Sequence, residues 1–272
     1  MTDRPFSVTA PADPSAGVPM LVHLPHAGTK IPDAVRARIR ISDEQLADEV
    51  LAMTDWHTGD LFGPAATDAG ATVITNHLSR LVVDPERLPN HREPAAAYGM
   101  GAVYTHTRHG TPMRSKAETP DLLDQYFQPW ADTVSACVTA HLEQFGHCLI
   151  LDGHSFPAEP FPFEDPSQPR PDIDLGWSDP HRPEGLVDQV AELAANRGYS
   201  VAENTPFSGA YVPLGRYGRD AQVTALMVEV NRRVYLNETT GAKASGWDEA
   251  AALISEIVTA AADWARSRET NA

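Results

Sequence analysis

Short apolar segments alternate with segments of helical period along most of this sequence, and that alternation predicts an α/β fold. Three near-continuous apolar runs, Met20–Leu24, Cys148–Ser155 and Val223–Val230, read as strands buried on both faces. The expected architecture is a single-domain, mixed, mostly parallel sheet with helices on both faces. No internal repeat is visible, and no linker is long enough to separate two domains. Residues 1–17, rich in Pro, Ala and Ser, read as a loose arm, and residues 18–268 as one α/β domain.

The elements follow in order. Met20–Leu24 is a strand that runs into a turn at Pro25 and Gly28, with His26 at its C-terminal end. Ser42-Asp-Glu-Gln45 is a capping-box pattern. It opens an amphipathic helix with Leu46, Val50, Met53 and Leu61 on one side and a break near 55–59. Gly70–Asn76, rich in β-branched residues, is the next strand. Residues 80–116 are dense in Pro, Gly, His and Arg and show no sustained period, which predicts an active-site loop. Thr119-Pro120 starts a helix that runs to Phe145, bent or interrupted at Pro129 and stopped by Gly146. The strand carrying His154 follows. Residues 156–182 contain seven prolines and read as a second loop. Then come a helix over Glu184–Asn196, a short strand over Tyr199–Glu203, a loop over Asn204–Tyr211 and the strand Val223–Val230. Trp247–Arg266 is a C-terminal helix with Leu253, Ile257 and Trp264 inward.

Composition excludes several classes of function. The net charge of -16 argues against nucleic acid and anionic membranes, whose phosphates need clustered Lys and Arg. No run reaches the roughly 18 apolar residues of a membrane span. The N-terminus does not read as a signal peptide. Cys137 and Cys148 fall on a helix and a strand and read as reduced thiols of a cytoplasmic protein. Arg80, Arg87, Arg92 and Arg108 cluster in the central irregular region, where a guanidinium binds a carboxylate.

The candidate chemistry lies at strand ends. His26 and His154 end two strands of one sheet, where α/β folds present ligands, and two such imidazoles can converge on a metal ion. Asp152 alternates to the same side as His154 and can orient it, while Ser155 points away. No G-x-S-x-G elbow is present. Glu229 interrupts an apolar strand, where a carboxylate needs a partner or a function; burial raises its pKa toward that of a general base. Asp55 or His57, in Thr54-Asp-Trp-His-Thr58, completes a site of three protein ligands with an open position.

These segments, in this order, resemble the N-formylglutamate amidohydrolases, also called N-formylglutamate deformylases. The matching pieces are Pro25-His-Ala-Gly-Thr-Lys-Ile-Pro32, Thr54-Asp-Trp-His57, Ser79-Arg-Leu-Val-Val-Asp84 with Arg87, Leu151-Asp-Gly-His-Ser155, Arg170-Pro-Asp-Ile-Asp-Leu-Gly176, Asn204-Thr-Pro-Phe-Ser-Gly-Ala-Tyr211, and Glu229 followed by Tyr235. The resemblance covers residues 20–265 and implies a hydrolase-like fold of the phosphorylase/hydrolase kind, similar to the zinc carboxypeptidases. It implies His26, Asp55 and His154 as ligands of a divalent metal, zinc first, with cobalt or another divalent ion as alternatives. It implies Glu229 as the catalytic acid/base, Arg80 as the oxyanion partner, and Arg87, Arg170, Asn204 and Tyr211 as substrate-binding residues. Two places depart from the family pattern: Asp-Leu-Asn-Arg reads Asp84-Pro-Glu-Arg87, and Gly-Gly-Tyr reads Gly209-Ala-Tyr211. The expected function is therefore metal-dependent hydrolysis of an N-acyl amino acid, with N-formyl-L-glutamate first, giving formate and glutamate as in histidine catabolism. The expected partner is a small carboxylate substrate. The rivals are a related hydrolase of another small amide or short peptide, and a non-catalytic amino-acid or metal-binding protein on the same fold. Glu229 speaks against the last, because simple metal binding needs no free base.

Overall fold

The computed structural model describes residues 4–11 and 13–269. The strands are β1 (Phe6–Thr9), β2 (Met20–Leu24), β3 (Thr72–Asn76), β4 (Cys148–Phe156), β5 (Ile173–Gly176), β6 (Val201–Glu203), β7 (Val223–Asn231), β8 (Leu236–Asn237) and β9 (Ala242–Lys243). The helices are α1 (Asp33–Arg36), α2 (Asp43–Met53), α3 (Thr58–Asp68), α4 (Thr119–Leu122), α5 (Gln128–Phe145), α6 (Leu186–Asn196) and α7 (Trp247–Glu269).

Local chemistry sets the helix ends. Ser42 and Gln45 form the expected capping box at the start of α2. Gly146, at φ 78°, closes α5 in the left-handed conformation. Between α4 and α5 the chain takes one π turn, Leu123–Phe127, directly before Pro129. The proline ring crowds the carbonyl four residues earlier and supplies no N–H, and the wider turn relieves both.

The seven-stranded sheet has the order β1-β3-β2-β4-β7-β5-β6. The pairs β3–β2, β2–β4, β4–β7 and β5–β6 are parallel, while β1–β3 and β5–β7 are antiparallel. Alternation sorts the core into two layers. Leu21, Ile74, Ile150 and Ala225 face Trp130, Val134 and Val138 of α5. Val22, Leu24, Leu149, Leu151, Leu226 and Val228 face α3, α6 and α7 through residues such as Phe62, Val190 and Ile257. After β2 the chain builds β3 on one side, and β4 lies on the other. The β2–β4 boundary is thus a switch point, where open α/β sheets place their ligand crevice.

Two sequence expectations need correction, and a third gains a detail. Part of the expected loose arm lies outside the described residues, but Phe6–Thr9 is ordered as an edge strand paired with β3. The expected loop over 156–182 contains β5, four buried residues with Asp174 among them. Six of its seven prolines precede β5 and Pro180 follows it, and Asp174 is stabilised in the strand by accepting from Thr205 N at 3.0 Å and Phe207 N at 2.9 Å. The irregular 80–116 segment packs a core of its own, with Leu81, Val83, Met100, Tyr104 and Met113 against Leu46 and Met53 of α2. Arg114 ties this segment together through the carbonyls of Leu81 and Tyr104. Among the described residues no helix is long and apolar enough to cross a membrane.

Candidate active site

His26 leaves the end of β2 in a turn that only glycine can complete at position 28. A Cβ there would stand 2.2 Å from the backbone carbon of His77. His154 sits inside β4, one strand away. Asp55 follows the C-terminal end of α2, and its backbone N–H donates to His26 O at 3.1 Å. The three side chains converge in a buried spot. His26 Nδ1 and His154 Nδ1 face each other at 3.3 Å. Asp55 Oδ2 lies 3.0 Å from His154 Nδ1 and 3.6 Å from His26 Nδ1.

This triangle fits a divalent cation. Bonds of about 2.0–2.1 Å in a tetrahedron put neighbouring donors about 3.3–3.4 Å apart. Two imidazoles and one carboxylate leave a fourth position for water or substrate. The far nitrogens are held as such ligands require. His26 Nε2 faces Asp84 Oδ1 at 2.9 Å, and His154 Nε2 faces Asp152 Oδ1 at 3.0 Å. Glu86 Oε1 reaches His154 Nε2 at 3.2 Å. A carboxylate on Nε2 fixes the proton there and leaves Nδ1 bare. Burial alone would raise the Asp55 carboxyl, but the His154 and His26 imidazoles beside it hold it below the usual carboxylate range. Asp84 is likewise held low, with Arg80 the main opponent of burial.

Glu229 lies on β7 opposite His154 in the parallel register. Burial pushes its carboxyl up to about 8; the His154 charge opposes this, and Asp55 and Asp174 add to it. Its Oε2 atom has no hydrogen-bond partner among the described residues. The structural alternative for Glu229, a pair with arginine, does not appear among the described residues. The nearby Arg232 instead donates to Asp55 Oδ1 at 3.2 Å and to Ser155 Oγ at 3.2 Å.

A cavity of ≈ 330 Å³ opens above these groups, lined by His26, Asp55, His154 and Glu229 together with Arg80, Arg87 and Tyr211. Arg80 donates twice to Asp84 Oδ2, at 3.0 and 2.6 Å, and once to Tyr104 OH. Arg87 makes longer pairs, 3.4 Å to Glu93 and 3.7 Å to Asp84, and its side chain is 34% exposed. Tyr211 stacks on His23 at 4.3 Å and donates its backbone N–H to Asp152 Oδ2.

Other expected residues lie elsewhere. Arg170 is not part of the lining; it donates to Pro157 O and pairs with Glu164 at 2.9 Å. Asn204, at φ 52°, uses its side-chain oxygen to accept from Trp177 N and Gly209 N and so shapes the loop. His57, at φ 62°, begins α3 and bonds Gly241 O at 2.9 Å, away from the triangle. Of the two open choices for the third ligand, Asp55 therefore has the position. Sequence reasoning passed over His23, Asp84, Glu86 and Arg232. A histidine within the buried strand β2 carried the same signal as Glu229, a polar group that burial penalises unless it is bonded. His23 meets that need through Asp152 Oδ1 at 2.8 Å.

The chain is similar to known proteins in sequence and in fold. Residues 18–236 match the family described as N-formylglutamate amidohydrolase. A Pseudomonas putida protein named N-formylglutamate deformylase is 31% identical over 236 residues, spanning 82% of this chain and 83% of that protein. One of the same name from Pseudomonas aeruginosa is 29% identical over 269 residues, spanning 92% of this chain and 95% of that protein. The fold is also that of a crystal structure from Ralstonia eutropha JMP134 described as an N-formylglutamate amidohydrolase, with a TM-score of 0.81 at 23% identity over 97% of this chain and 99% of that one.

Proposed function

This chain belongs to the N-formylglutamate amidohydrolase family, and from that premise we propose that it hydrolyses the amide of an N-acyl amino acid, N-formyl-L-glutamate first, to formate and the free amino acid. One observation supports this reading above the rest. A buried carboxylate with an unpartnered oxygen, Glu229 Oε2, stands beside three convergent donor atoms at the floor of a cavity.

His26, Asp55 and His154 would hold a divalent ion, with zinc best suited to two imidazoles and a carboxylate. Such an ion supplies a Lewis acid for the amide carbonyl and lowers the pKa of water. The chain's own groups do the rest. Glu229 Oε2 accepts the proton of the attacking water and returns it to the leaving amine. Arg80, fixed by Asp84 and Tyr104, turns its remaining N–H groups to the carbonyl oxygen, where negative charge develops. Arg87, less tightly paired, receives the substrate carboxylate. Tyr211 closes the wall beside His23. Arg170 and Asn204, read from sequence as substrate-binding, brace that wall and its loop. Both cysteines are free. That suits a cytoplasmic enzyme, with a step of histidine breakdown as its setting.

The test is direct. Purified protein is analysed for bound metal and assayed for formate release from N-formyl-L-glutamate and from its N-acetyl analogue. Stoichiometric metal with formate release that a chelator abolishes is the expected result. Turnover undiminished by complete metal removal would overturn the metal-dependent reading.

A further inference from the structure

The cavity has two unlike sides. One is charged, with Arg80 and Arg87 facing Glu86 and Glu93. The other is aromatic, lined by Phe161, Phe163, Phe207 and Tyr217. Phe161 and Phe163 stack at 5.5 Å with 24° between their planes, and both are only half-buried. Phe207 is fixed edge-on to Phe156 at 5.5 Å, with the Arg170 guanidinium 5.0 Å from one ring and 5.7 Å from the other. This wall is braced from behind and open in front.

The arginines of the cavity differ in how fully they are paired. Arg80 is bound to Asp84, Arg232 to Asp55 and the Ala52 and Ser155 carbonyls, and Arg170, from outside the lining, to Glu164 within it. Among the described residues of the lining, Arg87 is the arginine with long pairs and a half-buried side chain. One guanidinium matches one carboxylate.

We propose that this cavity also takes N-formyl amino acids with an aromatic side chain, the α-carboxylate on Arg87 and the ring against Phe161, Phe163 and Phe207. The aryl group loses apolar surface to the wall and gains stacked or edge-to-face contacts. The proposal rests on the deformylase reading above, and the reaction is the same hydrolysis. The water oxygen bonds to the formyl carbon, the C–N bond breaks with its electron pair on nitrogen, and the nitrogen takes a proton. Formate and the free aromatic amino acid leave.

The experiment compares kcat/KM for N-formyl-L-phenylalanine, N-formylglycine and N-formyl-L-glutamate on the metal-loaded protein. The phenylalanine compound should exceed the glycine compound by at least about 10-fold, the discrimination an apolar pocket gives one well-placed group. Phe163→Ala should bring that ratio toward one, and Phe163→Leu should leave it between. A ratio cancels any loss of folded enzyme. A wild-type ratio near one, or a ratio that Phe163→Ala does not move, overturns the aromatic subsite even if N-formyl-L-glutamate is hydrolysed. If no N-formyl compound releases formate, the deformylase reading fails instead. Calorimetric binding of the same compounds then decides the subsite alone: a phenylalanine preference supports it, and equal affinities overturn it.

Discussion

Glu229 and His154 are register partners on adjacent parallel strands, β7 and β4, in the middle of the sheet. The sheet itself therefore sets the distance between the proposed general base and an imidazole of the proposed metal site. Neither group relies on a mobile loop for its position. Functional groups on rigid elements hold their geometry to within a fraction of an ångström, which a proton transfer requires. The loops contribute the cavity charges proposed to meet the substrate, Arg80 and Arg87.

His154→Ala should remove the bound ion and the activity together, because one of three donors is gone. Asp152→Asn provides a graded comparison. It leaves all three donors in place and weakens the group behind the His154 imidazole, which also holds His23 and the Tyr211 N–H, and such changes typically cost about 10–100-fold in metal affinity. Metal titration of both variants should rank them wild type, Asp152→Asn, His154→Ala. Wild-type affinity in His154→Ala would remove that residue from the ligand set.

Arg87→Lys keeps the charge and loses the two-pronged guanidinium. The substrate carboxylate is present in ground and transition states alike, so the variant should raise KM more than it lowers kcat. Arg170→Lys is the control, since Arg170 is itself outside the cavity lining and is already paired with Glu164 and bonded to Pro157 O. It should change thermal stability and leave KM close to wild type. An unchanged KM for Arg87→Lys would remove Arg87 from the substrate's path.

Much of the fold was legible because β2, β4 and β7 are buried on both faces and read as apolar runs. β5 was not, being four residues long with an aspartate in it and prolines before it. Its identity depends on β7 and on the loop amides that hold Asp174. The site followed the same division. His26, His154 and Glu229 stood out because each breaks or ends an apolar run. Asp84 sits in an aperiodic segment, and its partners, His26 and Arg80, become visible only in three dimensions. Arg170 was assigned to the substrate by resemblance, but no sequence pattern reveals that Glu164 and a carbonyl already occupy it.

Metal-free protein should show a pH signature of Glu229. Its carboxyl in the folded chain is raised from 4.5 to about 8, so the folded state holds a proton that the unfolded state releases. Stability from this group is complete below pH about 4.5 and is lost as pH rises toward 8. Glu229→Gln carries no titrating group, so its melting temperature should fall less than wild type's between those limits. Parallel curves for the two chelated proteins would show that Glu229 is not held protonated by burial.

The kinetic test of the same residue separates an enzyme from a binder. Glu229→Gln keeps the size of the side chain but cannot accept the proton of water. General acid–base assistance is typically worth about 10²- to 10⁴-fold, and kcat should fall within that range. Metal content should stay normal, because Glu229 is not among the three donors. Substrate affinity should change little, since the lost interaction belongs to the transition state. The amide leaves no arginine stranded, because Arg232 is already paired with Asp55. A fall in melting temperature at neutral pH is therefore not expected. A variant with full kcat per folded molecule would remove Glu229 from catalysis and move the role of base to another carboxylate lining the cavity, with Glu86 the half-buried candidate.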